Sequence, residues 1–253
     1  MNTETKDDNS HVSVSTAGDV NGDGYDDVIV GASRADRNVE YDYGIAGASR
    51  SDQDSSYWVS SYVVFGKANG FSAAMDLSSL DGSNGFILDK DMHFYASGLA
   101  GASVSNAGDV NGDGFDDVII GISRYGNGGS SYVVFGKASG FNAAMDLSSL
   151  DGKNGFRLEG GEENYYSGIS VSTAGDVNGD GFDDLIIGSW RYQQNAKWPD
   201  SSYVVFGKAS GFDATLNLSS FDEHDGFRLD GEVDDCADPP VSTAGEVNSD
   251  GLD

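Results

Sequence analysis

The chain has 253 residues, enough for one large domain or two small ones, and is 38% hydrophobic with 36 glycines and three prolines, a composition that provides for a core and many tight turns. Its 42 acidic residues against 14 basic ones leave a net charge of -28, a surface that repels nucleic-acid phosphates and anionic membranes and attracts cations. The single cysteine, Cys236, excludes an internal disulfide, and no run approaches the roughly eighteen apolar residues of a membrane span.

The opening MNTETKDDNS lacks the basic and apolar regions of a secretion signal, so the chain is expected either to stay inside the cell or to be part of a longer one. A first repeat, about 11–90, opens with AGDVNGDGYDD (Ala17 to Asp27) and runs into the apolar VIVGAS. From Asp27 to Ser61 is 34 residues, against 14 from Asp117 to Ser131 and 18 from Asp184 to Ser202. About twenty residues are therefore inserted into one loop of this repeat, which a surface loop accepts at little cost. The word SYVVFGKA then begins at Ser61, Ser131 and Ser202, in steps of 70 and 71 residues. After it comes AAMDLSSLDG (Ala73 to Gly82, and again Ala143 to Gly152), room for a single helical turn in a chain with no other helical period.

The second repeat, about 101–160, gives four strand signals: Ala102 to Gly108, Asp117 to Ile122, Ser131 to Lys137 and Asn154 to Gly160. Each is short, rich in β-formers and bounded by Gly, Asn, Asp or Ser. The small residues of the first of them suit a crowded position. A third repeat spans about 168–231, and a partial fourth, 240–253, holds one leading strand signal, PVSTAGEV (Pro240 to Val247). Four antiparallel strands at a period near 70 predict an all-β fold, a β-propeller of four-stranded blades forming a single region over 1–253. A β-solenoid would repeat at a much shorter period, and WD and kelch blades at about 40–50 residues.

The acidic loop starts at Asp19, Asp109, Asp176 and, altered, at Glu246. Counting from Asp19, side-chain oxygens fall at positions one, three, five and nine (Asp19, Asn21, Asp23, Asp27), with glycines between and a backbone carbonyl on offer at Tyr25. Alternating oxygen donors around glycine-permitted turns wrap a hard cation. Position twelve is Val30, Ile120 or Ile187, so this is no EF-hand, and the all-oxygen donor set argues against zinc. The competing reading is an ordinary Asp-Gly turn with solvated carboxylates, and recurrence of the same four oxygens in three copies weighs against it. Asp26, Asp116 and Asp183, at position eight, are expected to face solvent or orient a neighbour. The fourth loop has Glu246 for the first Asp, has Ser249 for a glycine, and stops short of position nine.

The pattern D-x-N-x-D-G-x-x-D between two strands, followed by VIVGAS and YVVFGK, resembles the FG-GAP repeats of integrin α-subunits and of large bacterial surface proteins, over roughly His11 to Asp253. The family's Phe-Gly pair appears here as YASG (Tyr95 to Gly98) and YYSG (Tyr165 to Gly168), and its Gly-Ala-Pro as GAS, GIS and GSW. The resemblance implies a seven-bladed propeller with calcium in the hairpin between the first and second strands of a blade. It carries calcium ligation onto Asp19, Asn21, Asp23, Tyr25 and Asp27. The same roles pass to Asp109, Asn111, Asp113, Phe115 and Asp117, and to Asp176, Asn178, Asp180, Phe182 and Asp184. That is Ca2+ at about three sites. Three blades and a strand do not close a ring, so the chain is expected to be a fragment. Extracellular or cell-surface location follows from the family, and from calcium affinities of about 10⁻⁴–10⁻³ M in extracellular modules.

No nucleophile motif, phosphate loop or H-E-x-x-H is present, and His11, His93 and His224 stand alone, so no catalytic site is expected. Binding is expected instead on the face opposite the acidic loops. The second-to-third strand connections bring there Trp58, Trp190 and Trp198, Tyr41, Tyr43, Tyr125 and Tyr192, and Arg34, Arg124 and Arg191. These residue types dominate binding hot spots, although each ring equally suits packing on a neighbouring blade and each Arg a pairing with a carboxylate. The expected ligand is a protein in an adhesive contact, with a glycan stacked on the rings as the alternative. A non-catalytic accessory or spacer role is the third reading.

Overall fold

In the computed structural model, residues 12–32, 57–92, 98–124, 128–160, 165–191, 201–231 and 240–243 are described. They form three sheets, one per repeat. The first runs through β1 (Val12–Gly18), β2 (Asp27–Ala32), β3 (Tyr57–Val64) and β4 (Gly85–Met92), each antiparallel to the next. The second blade is β5 (Gly98–Gly108), β6 (Asp117–Arg124), β7 (Ser130–Val134) and β9 (Gly155–Glu159), and between β7 and β9 the chain forms a short β8 (Ala144–Asp146) that belongs to the first sheet. The third blade is β10 (Tyr165–Gly175), β11 (Asp184–Arg191), β12 (Ser201–Val205) and β14 (Gly226–Asp230), and between β12 and β14 a short β13 (Thr215–Asn217) belongs to the second sheet. Strand order is that of a meander, as a propeller blade requires. The fold is all-β, a partial β-propeller whose described sheets do not close on one another.

Two features depart from the expected four-stranded antiparallel blade. First strands are longer than expected, β5 beginning at Gly98 rather than Ala102, because a register shift between Ala100 and Ser103 lets pairing resume beyond it. Second, β8 and β13 leave their own blades and pair in parallel with the outer strand of the preceding one, β8 with β4 and β13 with β9. The blade's outer edge is thus covered by the next repeat, which protects an otherwise open strand. Both crossings continue into a 3-10 turn (Leu147–Ser149, Leu218–Ser220), and the first repeat forms the same turn at Leu77–Ser79 with no strand before it, the single turn anticipated from AAMDLSSLDG. Asp76, Asp146 and Asn217 cap these turns by accepting the N–H two residues on.

The core lies between sheets. One apolar cluster joins Phe65, Phe86 and Leu88 of the first blade to Val104, Val118, Ile120 and Leu147 of the second. Another repeats the pattern between the second and third, with Phe135, Phe156 and Leu158 against Val171, Leu185 and Leu218. Sandwiched on both sides, the second blade has Val118, Ile119 and Ile120 all fully buried, which explains an unbroken apolar run where one-sided burial would require alternation. The first strands adjoin each other: Ser13 Oγ accepts the Val104 N–H and Ser103 Oγ the Val171 N–H. Small side chains allow that approach.

Candidate metal centre

Each acidic loop is the connection between the first and second strands of a blade, entered through a β-bulge (Thr16/Gly18, Asn106/Gly108, Thr173/Gly175). Gly108 sits there at φ +71, where a side chain is strained, and a Cβ would also meet the Asp183 carboxylate of the next blade. Within the loop the side chains organise the backbone. Asp19 Oδ1 accepts the Asp23 N–H at 2.9 Å and Oδ2 the Gly24 N–H at 2.8 Å. Asn21 Oδ1 also accepts from Asp23 N, and Asp23 Oδ1 accepts from Tyr25 N at 3.0 Å. The second loop repeats these bonds through Asp109, Asn111 and Asp113, and the third through Asp176, Asn178 and Asp180.

The ninth residue behaves differently. Asp27, Asp117 and Asp184 are buried at the base of the loop, and each ties three segments together. Asp117 Oδ2 accepts the Val110 N–H of its own loop at 3.1 Å, and Oδ1 accepts the Gly136 N–H, just past β7, at 2.9 Å. Asp27 does the same with Val20 and Gly66, and Asp184 with Val177 and Gly207. Burial pushes the Asp117 carboxyl up to about 8, with the charges of Asp113 and Asp109 adding and the two amides opposing. Asp27 and Asp184 are raised to about 6 by the same causes. Among the described residues, no Lys or Arg pairs with any of these loop carboxylates.

Position eight orients a neighbouring loop. Asp116 Oδ2 accepts the Asp19 N–H of the preceding blade at 2.7 Å, and Asp183 Oδ2 accepts that of Asp109 at 2.9 Å. The ring of Phe182 lies against Gly112, at φ +73, where a Cβ would meet it. Consecutive loops are therefore interlocked, a linkage that sequence spacing alone does not reveal.

The donor chemistry of the loops, carboxylates and an amide oxygen with no Lys or Arg ion pair to the ninth aspartate among the described residues, fits a hard cation. Each carboxylate oxygen that accepts a backbone N–H keeps acceptor capacity. As the side chains stand, no three His, Cys, Asp or Glu groups converge on a common point among the described residues. Holding a cation would therefore require these side chains to rotate away from the backbone N–H groups they now accept. Tyr25, Phe115 and Phe182 stand at position seven, each donating its N–H to the aspartate at position five.

The opposite face is less fully described. Arg34, Tyr41, Tyr43, Tyr125, Tyr192 and Trp198 lie outside the described residues, as do His11, His93, Cys236 and the acidic loop of the partial fourth repeat. Trp58, Arg124 and Arg191 are placed by backbone alone, paired in register with Asp91, Gly98 and Tyr165. Trp190 packs on Tyr166 with ring centroids 4.9 Å apart, so its ring serves the blade at least in part. No helix among the described residues is long and apolar enough to cross a membrane.

Comparison with known proteins agrees with this geometry. The family described as FG-GAP repeat matches residues 12–50, 100–134 and 167–196. Integrin alpha pat-2 of Caenorhabditis elegans is 34% identical over 97 residues, 37% of this chain and 7% of that protein. Human integrin alpha-6 is 27% identical over 133 residues, 50% of this chain and 10% of its own length. Integrin alpha-4 of Xenopus laevis is 25% identical over 123 residues, covering 48% and 11%. The matches span about a tenth or less of these relatives. Three sheets, each with its acidic hairpin, coincide with three matched repeats: the chain carries FG-GAP repeats and is similar in them to integrin α-subunits.

Proposed function

We propose that this chain is a calcium-stabilised, non-catalytic propeller module that works outside the cell in protein binding and adhesion. The observation that carries the reading is the threefold recurrence of one loop: four side-chain oxygens in the same hydrogen-bonded arrangement, closed on a buried aspartate with no described cationic partner. Calcium in each loop would be held by Asp19, Asn21, Asp23 and Asp27 with the Tyr25 carbonyl, and by their counterparts in the other two. It supplies positive charge that the buried carboxylate lacks. The ninth aspartate then fixes two hairpins at once, and the eighth fixes the preceding loop. At free calcium about tenfold above the dissociation constant, each site adds roughly 1.4 kcal/mol and three about 4 kcal/mol, against the ~5–15 kcal/mol of a typical domain. Integrin similarity supports a protein ligand.

Thermal melts in calcium, magnesium and chelator test the metal. A calcium-specific rise in melting temperature is expected, and coincident curves from a folded chain would refute the cation reading. For the ligand, cell-surface protein and glycan arrays are probed in parallel. Glycan binding competed by free sugar would replace the protein ligand with a carbohydrate.

A further inference from the structure

Five buried serine hydroxyls find no hydrogen-bond partner among the described residues: those of Ser61, Ser123, Ser131, Ser167 and Ser189. Four of them face one seam. We propose that this seam, between the second and third blades, is a binding site for ordered water that bridges the two sheets.

The register places the hydroxyls there. Ser131 on β7 stands opposite Leu158 and Gly121, and Leu158 belongs to the apolar cluster between these two blades. Gly121 faces the same way, since a Cβ on it would meet the Gly168 carbonyl and Val171 of the third blade. Ser123 follows Gly121 by two residues on β6 and so projects from the same face. From the other side, Ser189 follows Ile187, a member of that cluster, by two residues on β11, and Ser167 on β10 is its cross-strand partner. All four serines are at most 1% exposed. They lie toward the strand ends remote from the acidic loops. Backbones meet closely at that end: Ser167 N–H donates to the Gly128 carbonyl at 3.2 Å, and a Cβ on Gly168 would come within 2.8 Å of Ser131 Oγ. Ser61 holds the matching place in the first blade, opposite Leu88 of the other apolar cluster, so a counterpart is expected in that seam.

Hydroxyls buried without partners carry their full desolvation penalty, and four in one seam would offset much of the net stability of a domain. Native interiors pair such groups with protein or with water. Nearby serines do find protein partners: Ser130 Oγ accepts from the Arg157 guanidinium at 3.0 Å, and Ser201 donates to Asp230 at 2.9 Å. The four in the seam pair neither with such groups nor with one another. A buried water takes about three partners at once, so roughly one or two waters would join hydroxyls of both sheets to the second lone pairs of neighbouring carbonyls. Full burial keeps these hydroxyls from any ligand on the surface. The seam is thus apolar in its middle and hydrated at the end away from the acidic loops.

The test uses the whole chain and two readouts. Magnetisation transfer from water, read by NMR, should show long-lived water contacts at Ser131, Ser167 and Ser189. Ser131→Ala and Ser189→Ala, in opposite sheets, each take one partner from the water. In urea unfolding each should shift the folding equilibrium roughly threefold to tenfold toward the unfolded state. The double variant should lose less than the two single losses together, because both serines serve the same water. Ser202→Ala, the same change in the same word at a half-buried position, should move the equilibrium by less than about twofold, which separates the effect from strand propensity. Absence of long-lived water contacts in the parent chain overturns the proposal. So does an alanine variant as stable as the parent or more stable, the result expected when an unpaired hydroxyl is removed. Strictly additive losses overturn the shared bridge.

Discussion

Replacing Asp117 by alanine removes the acceptor of two buried backbone amides, Val110 N–H and Gly136 N–H, at the junction of loop, β6 and the end of β7. An unsatisfied buried donor costs about 1–3 kcal/mol, so two cost about 2–6. Part is returned, since the carboxyl removed is one that burial holds above its ordinary range. The expected loss is therefore in the lower half, about 2–4 kcal/mol, or roughly 5–15 °C in melting temperature for a domain of this size. Urea unfolding followed by far-ultraviolet circular dichroism in chelator measures this bracing term without metal. Asp117→Asn keeps one acceptor and turns an amide N–H toward the other donor, so it should fall between alanine and the parent. Repeating the series in calcium should widen every difference. If Asp117→Ala costs less than about 0.5 kcal/mol in chelator, the buried aspartate does not hold the hairpins together and the account of the loop base is wrong.

Asp116→Ala should destabilise the chain by about 1–2 kcal/mol and speed amide exchange at Asp19 in the preceding loop while leaving Asp109 unchanged, as read by NMR. Gly112→Ala places a methyl against the Phe182 ring at a left-handed backbone position, and a thermal melt should record about 2 kcal/mol or more lost. Phe141→Ala opens the stack on Phe86; at a half-buried position the cost should be about 2 kcal/mol in urea unfolding. Phe71→Ala, the same change at the exposed phenylalanine that holds the matching place in KANGFSAAMDLSSL of the first repeat, should alter the stability of the chain by no more than about 0.5 kcal/mol in the same assay.

The repeat, the acidic hairpin and the meander of four strands were legible because local chemistry dictates them: glycines and aspartates at fixed offsets, then β-branched runs. What escaped depends on neighbours. Ala74-Met75-Asp76 and Ala144-Met145-Asp146 are the same tripeptide, yet only the second is a strand, since only it has an outer strand to pair with. Likewise Val14 and Val104 occupy the same place in the same pattern, yet Val104 is buried against the first blade while Val14 is exposed among the described residues. The role of Asp116 was open for the same reason: its partner, the Asp19 amide, lies 97 residues away in the chain. The aromatic face was legible only as composition, and the one ring described there, Trp190, turned out to pack against Tyr166.

Because the apolar clusters lie between sheets and not within them, the unit that unfolds together is not the repeat that the eye picks out of the sequence. It is a pair of facing half-blades with the insert that joins them. Loosening the second sheet dissolves both clusters at once, while loosening the first or third dissolves one. Native-state hydrogen exchange should therefore grade protection by blade, slowest in β6 and β7 and faster toward β2 and β12, although the strands share nearly the same residues. Gain or loss of a blade during descent would likewise rebuild an interface on either side of it, which gives near-identical inserts and sockets in every repeat a thermodynamic reason to stay interchangeable.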